Sequence, residues 1–313
     1  MNYEVLLYYL FTDVNDPQAA VLEHQEQCEA FNLKGRIFIA EEGINGTVSG
    51  LKHDTEAYIA WMNAHPLFDK VLFKREAAEG HAFKKLHVRV KDEIVRLQLP
   101  GAPKAKDHTA PMLSPQAFYE MMQQDDVVII DNRNDYEYNL GHFKGAIKVD
   151  VENFRDFPQW FEAHKEEFKD KTVLTYCTGG IRCEKVSGWM IDQGVKDVYQ
   201  LEGGIITYGQ DETVLGADWE GQCYVFDNRI ATAINRVNPT IVGHDYFDGT
   251  PCERYINCAN PECNKKILCS FENELKYHGS CSEGCRTHPH NRHAQRVQEH
   301  SEHFENPSWH HQT

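Results

Sequence analysis

The stretch from Thr172 to Lys185 constrains the fold more than any other part of the chain. Thr172-Val173-Leu174-Thr175-Tyr176 is an apolar, β-branched run of strand length. Cys177-Thr178-Gly179-Gly180 follows as a glycine-rich turn, and the pattern is helical from about Ile181 to Gln193. A buried strand that turns directly into a helix belongs to a parallel α/β sheet, which places its ligands at the carboxyl ends of its strands. Val127–Ile130, Ile147–Val149 and Val198–Leu201 supply further short strands. Helices are expected from Ser114-Pro115 through Met122 and over Phe154–Phe168. Residues 115–222 are therefore expected to form one α/β unit.

The chemistry of that turn is specific. Two glycines let the backbone wrap with its N–H groups inward, and the helix that begins there aims the positive end of its dipole at Cys177. Arg182 adds positive charge. Such surroundings lower a thiol pKa, to roughly 3.5–7.5 in related settings. The loop reads as built to hold an anionic sulfur, a persulfide, or an oxyanion beside the sulfur. Cys177 is the candidate nucleophile, with Thr178, Gly179, Gly180, Ile181 and Arg182 as its loop. A tyrosine-phosphatase loop needs Cys-x5-Arg, whereas here Arg182 comes one residue early and Cys183 takes its place. The shorter loop suits sulfur better than a phosphate tetrahedron. Cys183 is expected to face the helix packing, with a resolving thiol as its other reading.

The chain has 313 residues, enough for two or three domains. No apolar run approaches the ~20 residues of a membrane helix, and the apolar start, Met1 to Phe11, lacks a cationic leader and reads as a strand. A cytoplasmic location is expected, so the ten cysteines read as thiols, metal ligands or nucleophiles before disulfides. Residues 3–12 form a strand pattern. Residues 16–32 form a helix capped by Asp16 with Pro17 behind it. Gly35–Val48 reads as two strands about a turn at Glu42–Gly46. Asp54–Ala64 is a second helix with Tyr58, Trp61 and Met62 on one face, and Val71–Phe73 and Leu86–Val90 are further strands. That order suggests a ferredoxin-like α+β domain over residues 1–98. The proline-rich residues 99–114 read as a linker.

Net charge is −16, of which the segment 112–222 carries −11. An acidic chain argues against indiscriminate nucleic-acid binding. Lys84, Lys85, Arg89, Lys91, Arg96, Lys104 and Lys106 nevertheless form a local basic stretch, interrupted by Asp92 and Glu93. It reads either as a solvated strand edge or as a phosphate-docking face. In the Cys-rich region, residues 223–313, the spacing is Cys252-x5-Cys258-x4-Cys263-x5-Cys269-x11-Cys281-x3-Cys285. Thiolate zinc binding is one reading. The absence of a Cys-x2-Cys knuckle leaves metal-free thiols and disulfides open beside it. The tail from Arg286, rich in histidine, is expected to be poorly ordered.

Asp131-Asn132-Arg133, Glu137, Gly141-His142 and Leu201-Glu202-Gly203-Gly204-Ile205, taken with the Cys177 loop, resemble the rhodanese (sulfurtransferase) domain. Asp131, Arg133, Glu137 and His142 are expected to brace the loops rather than to react. Adding Ala40-Glu41-Glu42-Gly43-Ile44-Asn45-Gly46, the run Tyr176–Lys185 and the Cys-rich region, residues 3–285 resemble the bacterial tRNA uridine(34) hydroxylase family. The resemblance implies a ferredoxin-like domain, a central rhodanese-like parallel α/β domain and a Cys-rich C-terminal region. It implies oxygen-dependent formation of 5-hydroxyuridine at the wobble position, with molecular oxygen as co-substrate and the tRNA anticodon loop as partner. The family's reacting cysteine corresponds to Cys177. Two routes follow: thiolate addition to uracil C6, or a persulfide or oxidised sulfur that takes part directly. Sulfur transfer, or persulfide carriage without catalysis, is the alternative function. Because the central unit is acidic, tRNA docking is expected on Lys84, Lys85, Arg89 and Lys91, with an exposed Tyr or Phe stacking a base. Family members carry further cysteines where this chain has Asp245, Asp248 and Glu272, which implies an altered metal site. No nucleotide-cofactor fingerprint is evident.

Overall fold

The computed structural model describes residues 2–299. The first domain contains β1 (Tyr3–Phe11), α1 (Pro17–Ala30), β2 (Lys34–Ala40), β3 (Gly43–Leu51), α2 (Lys52–Ala64), β4 (Lys74–Ala78) and β5 (Leu86–Val90). Asp16 caps α1 by accepting from the Ala19 N–H at 2.9 Å, with Pro17 in the first turn. The sheet runs β4-β1-β3-β2-β5, antiparallel except for β5, which lies parallel to β2. This is a ferredoxin-like sheet with a fifth strand.

Two details depart from expectation. The β2–β3 turn is Glu41-Glu42 rather than Glu42–Gly46, because β3 already pairs at Gly43 with Phe11 of β1. The fourth strand is the polar Lys74–Ala78 rather than Val71–Phe73. It lies at the sheet edge, where β1 is its neighbour and little apolar surface is needed. One face of the sheet, including Leu6, Tyr8, Ile37 and Ile39, packs with α1 and α2 into the domain core. Strand alternation sends Leu7, Tyr9, Arg36, Phe38, Asn45 and Thr47 to the other face, which looks onto the second domain.

The second domain contains β6 (Met112–Leu113), α3 (Pro115–Met122), β7 (Val127–Asp131), α4 (Asp135–Leu140), β8 (Gly141–Phe143), β9 (Ile147–Lys148), α5 (Phe157–His164), β10 (Thr172–Tyr176), α6 (Ile181–Asp192), β11 (Asp197–Leu201) and α7 (Gly204–Gln210). A parallel sheet of order β6-β11-β10-β7-β9 puts β10 at its centre. Two apolar clusters hold the residues of its two faces, Leu174 and Tyr176 in one and Ile130 and Val173 in the other. The proline-rich stretch does more than link. It supplies β6 as the edge strand, where prolines cost no ladder bond, and it buries Ala110 in the second cluster and packs Leu99 against it.

β12 (Trp219–Tyr224) pairs with β8 and with β13 (Ala231–Ala233), tying the last region to the central domain. That region adds β14 (Tyr255–Asn257), β15 (Lys266–Leu268), α8 (Phe271–Lys276), α9 (Glu283–Arg286) and α10 (His293–Glu299). Helix α10 falls where the sequence predicts little order. The rest of that tail, residues 300–313, lies outside the described residues.

Candidate active site: a thiol under converging amides

β10 delivers Cys177 to the carboxyl end of the sheet centre. The chain then turns through Gly179 and Gly180, whose φ of 102° is open to glycine and strained for other residues. The Gly180 N–H donates to Cys177 Sγ at 3.1 Å. The N–H groups of Arg182 and Cys183 and the Cys183 thiol lie near enough to favour its anion as well. Burial opposes ionisation of Cys177, but these donors and the Arg182 charge outweigh it and bring the thiol down to about 5.

The loop is backed from behind. Ile205 and Ile206 donate their N–H groups to the carbonyls of Cys177 and Thr178 at 3.0 and 3.2 Å. A Cβ on Gly204 would lie 2.5 Å from the Cys177 carbonyl oxygen, so the Glu202–Ile205 motif needs glycine there.

Cys183 does not simply pack. It sits in the first turn of α6, where side chains tilt toward the helix N-terminus, and so meets the Cys177 sulfur. Asn132 Nδ2 and Thr175 Oγ1 approach its Sγ at 3.4 and 3.9 Å. Burial, and then the neighbouring sulfur, push the Cys183 thiol well up.

Arg182 is not a free anion receptor. Its guanidinium grips Glu137 with two bonds of 2.7 Å, both groups buried. Burial raises the Glu137 pKa, but Arg182 overrides it and holds the carboxylate low. Asp131 binds Arg133 through Nε at 2.9 Å and Nη2 at 2.6 Å, and accepts from the Tyr176 hydroxyl at 2.7 Å. These contacts fix the ends of β7 and β10. His142 stacks on Tyr138 at 3.9 Å and lines a different groove, away from Cys177.

Cys177 forms part of the floor of a pocket of about 930 Å³ between the two domains. Tyr9, Phe38, Phe83 and Phe226 line it, with Arg36, Lys91, Arg96 and Arg155 among its cations. Phe226, next to the Arg182 guanidinium, is 45% exposed. A nucleophile must be reachable by what it attacks, yet Cys177 has 0% exposure. Leu7 and Tyr9 of β1 lie directly over Gly179 and Gly180. The Tyr9 hydroxyl donates to Glu184 at 2.8 Å, and Lys185 bridges to Glu42 and, at 3.3 Å, to Glu93. The family-like segment Ala40–Gly46 thus clamps the first domain onto the loop helix. In this arrangement the sulfur is closed to solvent, and Leu7 and Tyr9 are what close it.

Of the basic residues picked from sequence, Lys91 lines the pocket above the Phe38 ring, and Arg89 pairs in register beside Phe38. Lys84 and Lys85 are exposed and do not line it. Lys104 and Lys106 are turned to Asp13. Sequence reasoning missed Arg36, Phe38, Tyr9, Arg155, Phe226 and Lys74. Alternation along Lys34–Ala40, with Ile37 and Ile39 inward, would have pointed to Arg36 and Phe38. Burial lowers Lys74 to about 8, against the opposing pull of Cys177, Glu184 and Glu202, and its Nζ lies 5.0 Å from the Tyr9 ring.

The six C-terminal cysteines divide. Cys258, Cys263, Cys281 and Cys285 bring their sulfurs within 4.8 Å of one another, an arrangement able to hold a metal ion. Tetrahedral bonds of ~2.3 Å put sulfurs about 3.8 Å apart. Cys263 to Cys281 is 3.6 Å and Cys281 to Cys285 is 3.9 Å, so the donor set fits. Cys252 and Cys269 stand outside it. Cys252 packs with Leu140, Tyr224, Tyr255 and Leu268, and Cys269 with Ile256 and Ile267.

An ionised sulfur at a strand-to-helix turn, with the Glu202–Ile205 turn behind it, defines a rhodanese-like protein, here capped by a ferredoxin-like domain. Residues 3–94 match the UPF0176 acylphosphatase like domain, 114–210 the rhodanese-like domain and 220–286 the rhodanase C-terminal family. Proteins named tRNA uridine(34) hydroxylase from Bacillus cereus, Bacillus anthracis and Bacillus thuringiensis subsp. konkukian are each 57% identical to it over 290 residues, which covers 93% of this chain and 91% of theirs. This chain belongs to the tRNA uridine(34) hydroxylase family. Among solved structures, a rhodanese-like domain protein from Staphylococcus aureus aligns at 24% identity with 33% of this chain and 94% of its own, with a TM-score of 0.27. No helix among the described residues is long and apolar enough to cross a membrane.

Proposed function

We propose that this chain hydroxylates C5 of the wobble uridine in the tRNA anticodon loop, using molecular oxygen and the Cys177 thiolate, in the cytoplasm. One observation carries the reading: a single pocket joins a thiolate floor to a sheet face of aromatic and cationic side chains. An unstacked uracil needs a flat apolar partner, which Tyr9, Phe38 and Phe226 offer, and flanking phosphates need cations, which Arg36, Lys91, Arg96 and Arg155 offer. The acidic central domain repels phosphate elsewhere. Lys84, Lys85 and Arg89 extend the docking surface along β5 and the turn before it.

The chemistry follows from the donors. The thiolate adds to uracil C6, C5 becomes enolate-like and takes up dioxygen, loss of the sulfur and of the C5 proton restores the double bond, and a two-electron reductant of the thiol class splits the O–O bond to leave the C5 hydroxyl and water. The three N–H groups and the Cys183 thiol stabilise the sulfur anion when it leaves. Asp131, Arg133 and Glu137 act by holding the loop. Zinc is the metal that suits Cys258, Cys263, Cys281 and Cys285, with a structural role that pins the turn after β14 to α9.

Nucleoside mass spectrometry of tRNA tests this in a strain lacking the chain, complemented with wild type or Cys177→Ser. Wild type restores 5-hydroxyuridine and its derivatives, whereas Cys177→Ser leaves them at least about a thousandfold down. Loss of thiolated nucleosides with 5-hydroxyuridine intact would transfer the assignment to sulfur transfer.

A further inference from the structure

We infer that Cys183 is the resolving partner of Cys177, so that the two sulfurs together supply the pair of electrons that the hydroxylation consumes. The inference rests on the hydroxylase reading above. Placing one atom of dioxygen on uracil C5 leaves a second oxygen atom to be reduced to water, which takes two electrons and two protons. The Cys177–Cys183 pair lies where that atom is left.

The placement of the two cysteines suits a displacement at sulfur. Cys177 faces the pocket and Cys183 does not. Cys183, in the first turn of the helix that follows the Cys177 loop, lies outside the pocket lining, and Asn132 and Thr175 hold its sulfur on the protein side. In such a displacement, the attacking and leaving groups lie on opposite sides of the sulfur attacked. Here the pocket receives the leaving oxygen and Cys183 attacks from behind. Both cysteines are buried.

The steps balance. Oxygen uptake at C5, with release of Cys177 from C6, leaves a C5 hydroperoxide. The Cys177 thiolate attacks the distal oxygen, the O–O bond breaks, and the products are the C5 hydroxyl and a sulfenic acid on Cys177. Cys183 then attacks that sulfur. The S–S bond forms, the S–O bond breaks, and the oxygen leaves as water with the Cys183 proton. In sum, uracil C5–H, dioxygen and two thiols give C5–OH, water and one disulfide. A low-molecular-weight thiol or a protein dithiol then reduces the disulfide for the next turn.

The test uses the full chain, reduced and then freed of reductant, mixed in air with tRNA from the deletion strain. Quenching in denaturant with a thiol-blocking maleimide precedes peptide mapping. Wild type is expected to make one 5-hydroxyuridine per chain and stop, with a Cys177–Cys183 disulfide that needs the tRNA to form, and dithiothreitol is expected to restart it. Cys183→Ser keeps a donor to the sulfur. It is expected to complete one turn, lose all later ones, and carry a sulfenic acid on Cys177 that dimedone captures. Repeated turnover of wild type without reductant, with both thiols free, would overturn the inference and leave hydroxylation standing. A disulfide that forms equally without tRNA would also overturn it. No 5-hydroxyuridine from wild type even with dithiothreitol would remove the hydroxylase reading itself.

Discussion

Cys177 and the Cys258–Cys285 group solve the same problem in opposite ways. Each gathers sulfur into a small space, Cys177 among hydrogen-bond donors and the C-terminal four among one another. Around Cys177, N–H groups from Gly180, Arg182 and Cys183 converge on one sulfur while Cys183 keeps its proton. In the C-terminal group four sulfurs face one another. Burial, and then the neighbouring Cys263 and Cys258, push Cys281 up to about 12. An anion made by amides stays free to react. Four thiolates that crowd together ask for a cation and are tied to it once bound. On the proposed roles, what separates a reactive cysteine from a metal-binding one in this chain is what surrounds the sulfur, not number or spacing.

The sharpest way to break that contrast is to disturb one side and watch the other. Glu137→Ala leaves the Arg182 guanidinium buried without its two carboxylate bonds. Removing one partner of a buried pair costs about 3–5 kcal/mol, so a large fall in denaturant midpoint is expected. Bound metal per chain should stay the same in the folded variant. A variant as stable as wild type would mean that Glu137 is not what compensates Arg182.

Next in size is the response to acid and to chelation. The Cys177 thiol titrates near 5 in the fold, below its unfolded value of about 8.5. The folded state therefore binds fewer protons than the unfolded one between those values. The stabilisation from the thiolate is complete above the unfolded value and is lost as pH falls through about 5. The acid limb of hydroxylation should fall in that same range, and thiolate absorbance, read as wild type minus Cys177→Ser, should follow it. Stripping metal with a chelator should lower the melting temperature and leave that limb where it is. A limb near the ordinary thiol value, or one that moves on chelation, would erase the distinction between the two cysteine environments.

How much of this could be read from the sequence follows from how local each feature is. The Cys177 turn was legible because strand, glycines and helix are contiguous, and sequence proximity alone puts amides on the sulfur. The orientation of Cys183 was not, since two residues of helix phase decide whether it packs or meets Cys177. The pocket roof was harder still. Tyr9 and Phe38 reach the loop from strands well over a hundred residues away, and their roles emerge only from which sheet face the second domain covers. The polar β4 shows why Val71–Phe73 misled: an edge strand needs little apolar surface, so Lys74 could sit there and lean over Tyr9. In the Cys-rich region the spacing predicted thiols without sorting them. Chain reversal after β14 brings Cys258 and Cys263 to Cys281 and Cys285, while Cys252 and Cys269 fall into apolar clusters.

The smallest expected effect concerns which cations meet the RNA. Arg36 and Lys91 line the pocket, whereas Lys84 and Lys85 are exposed outside its lining. Removing a cation that neutralises one phosphate of a single-stranded segment should flatten the slope of log affinity against log salt by about 0.7. Arg36→Ala and Lys91→Ala should each do this and weaken binding of different tRNAs alike, because pairing with a phosphate carries no base preference. Lys84→Ala with Lys85→Ala should flatten it less if the pocket mouth is where the loop backbone sits. A filter-binding series over salt, run on the Cys177→Ser background to stop turnover, measures this directly. If the Lys84/Lys85 pair carries the larger slope and Arg36 none, the anticodon loop enters along β5, and the aromatic face of the first domain contacts the base without its phosphates.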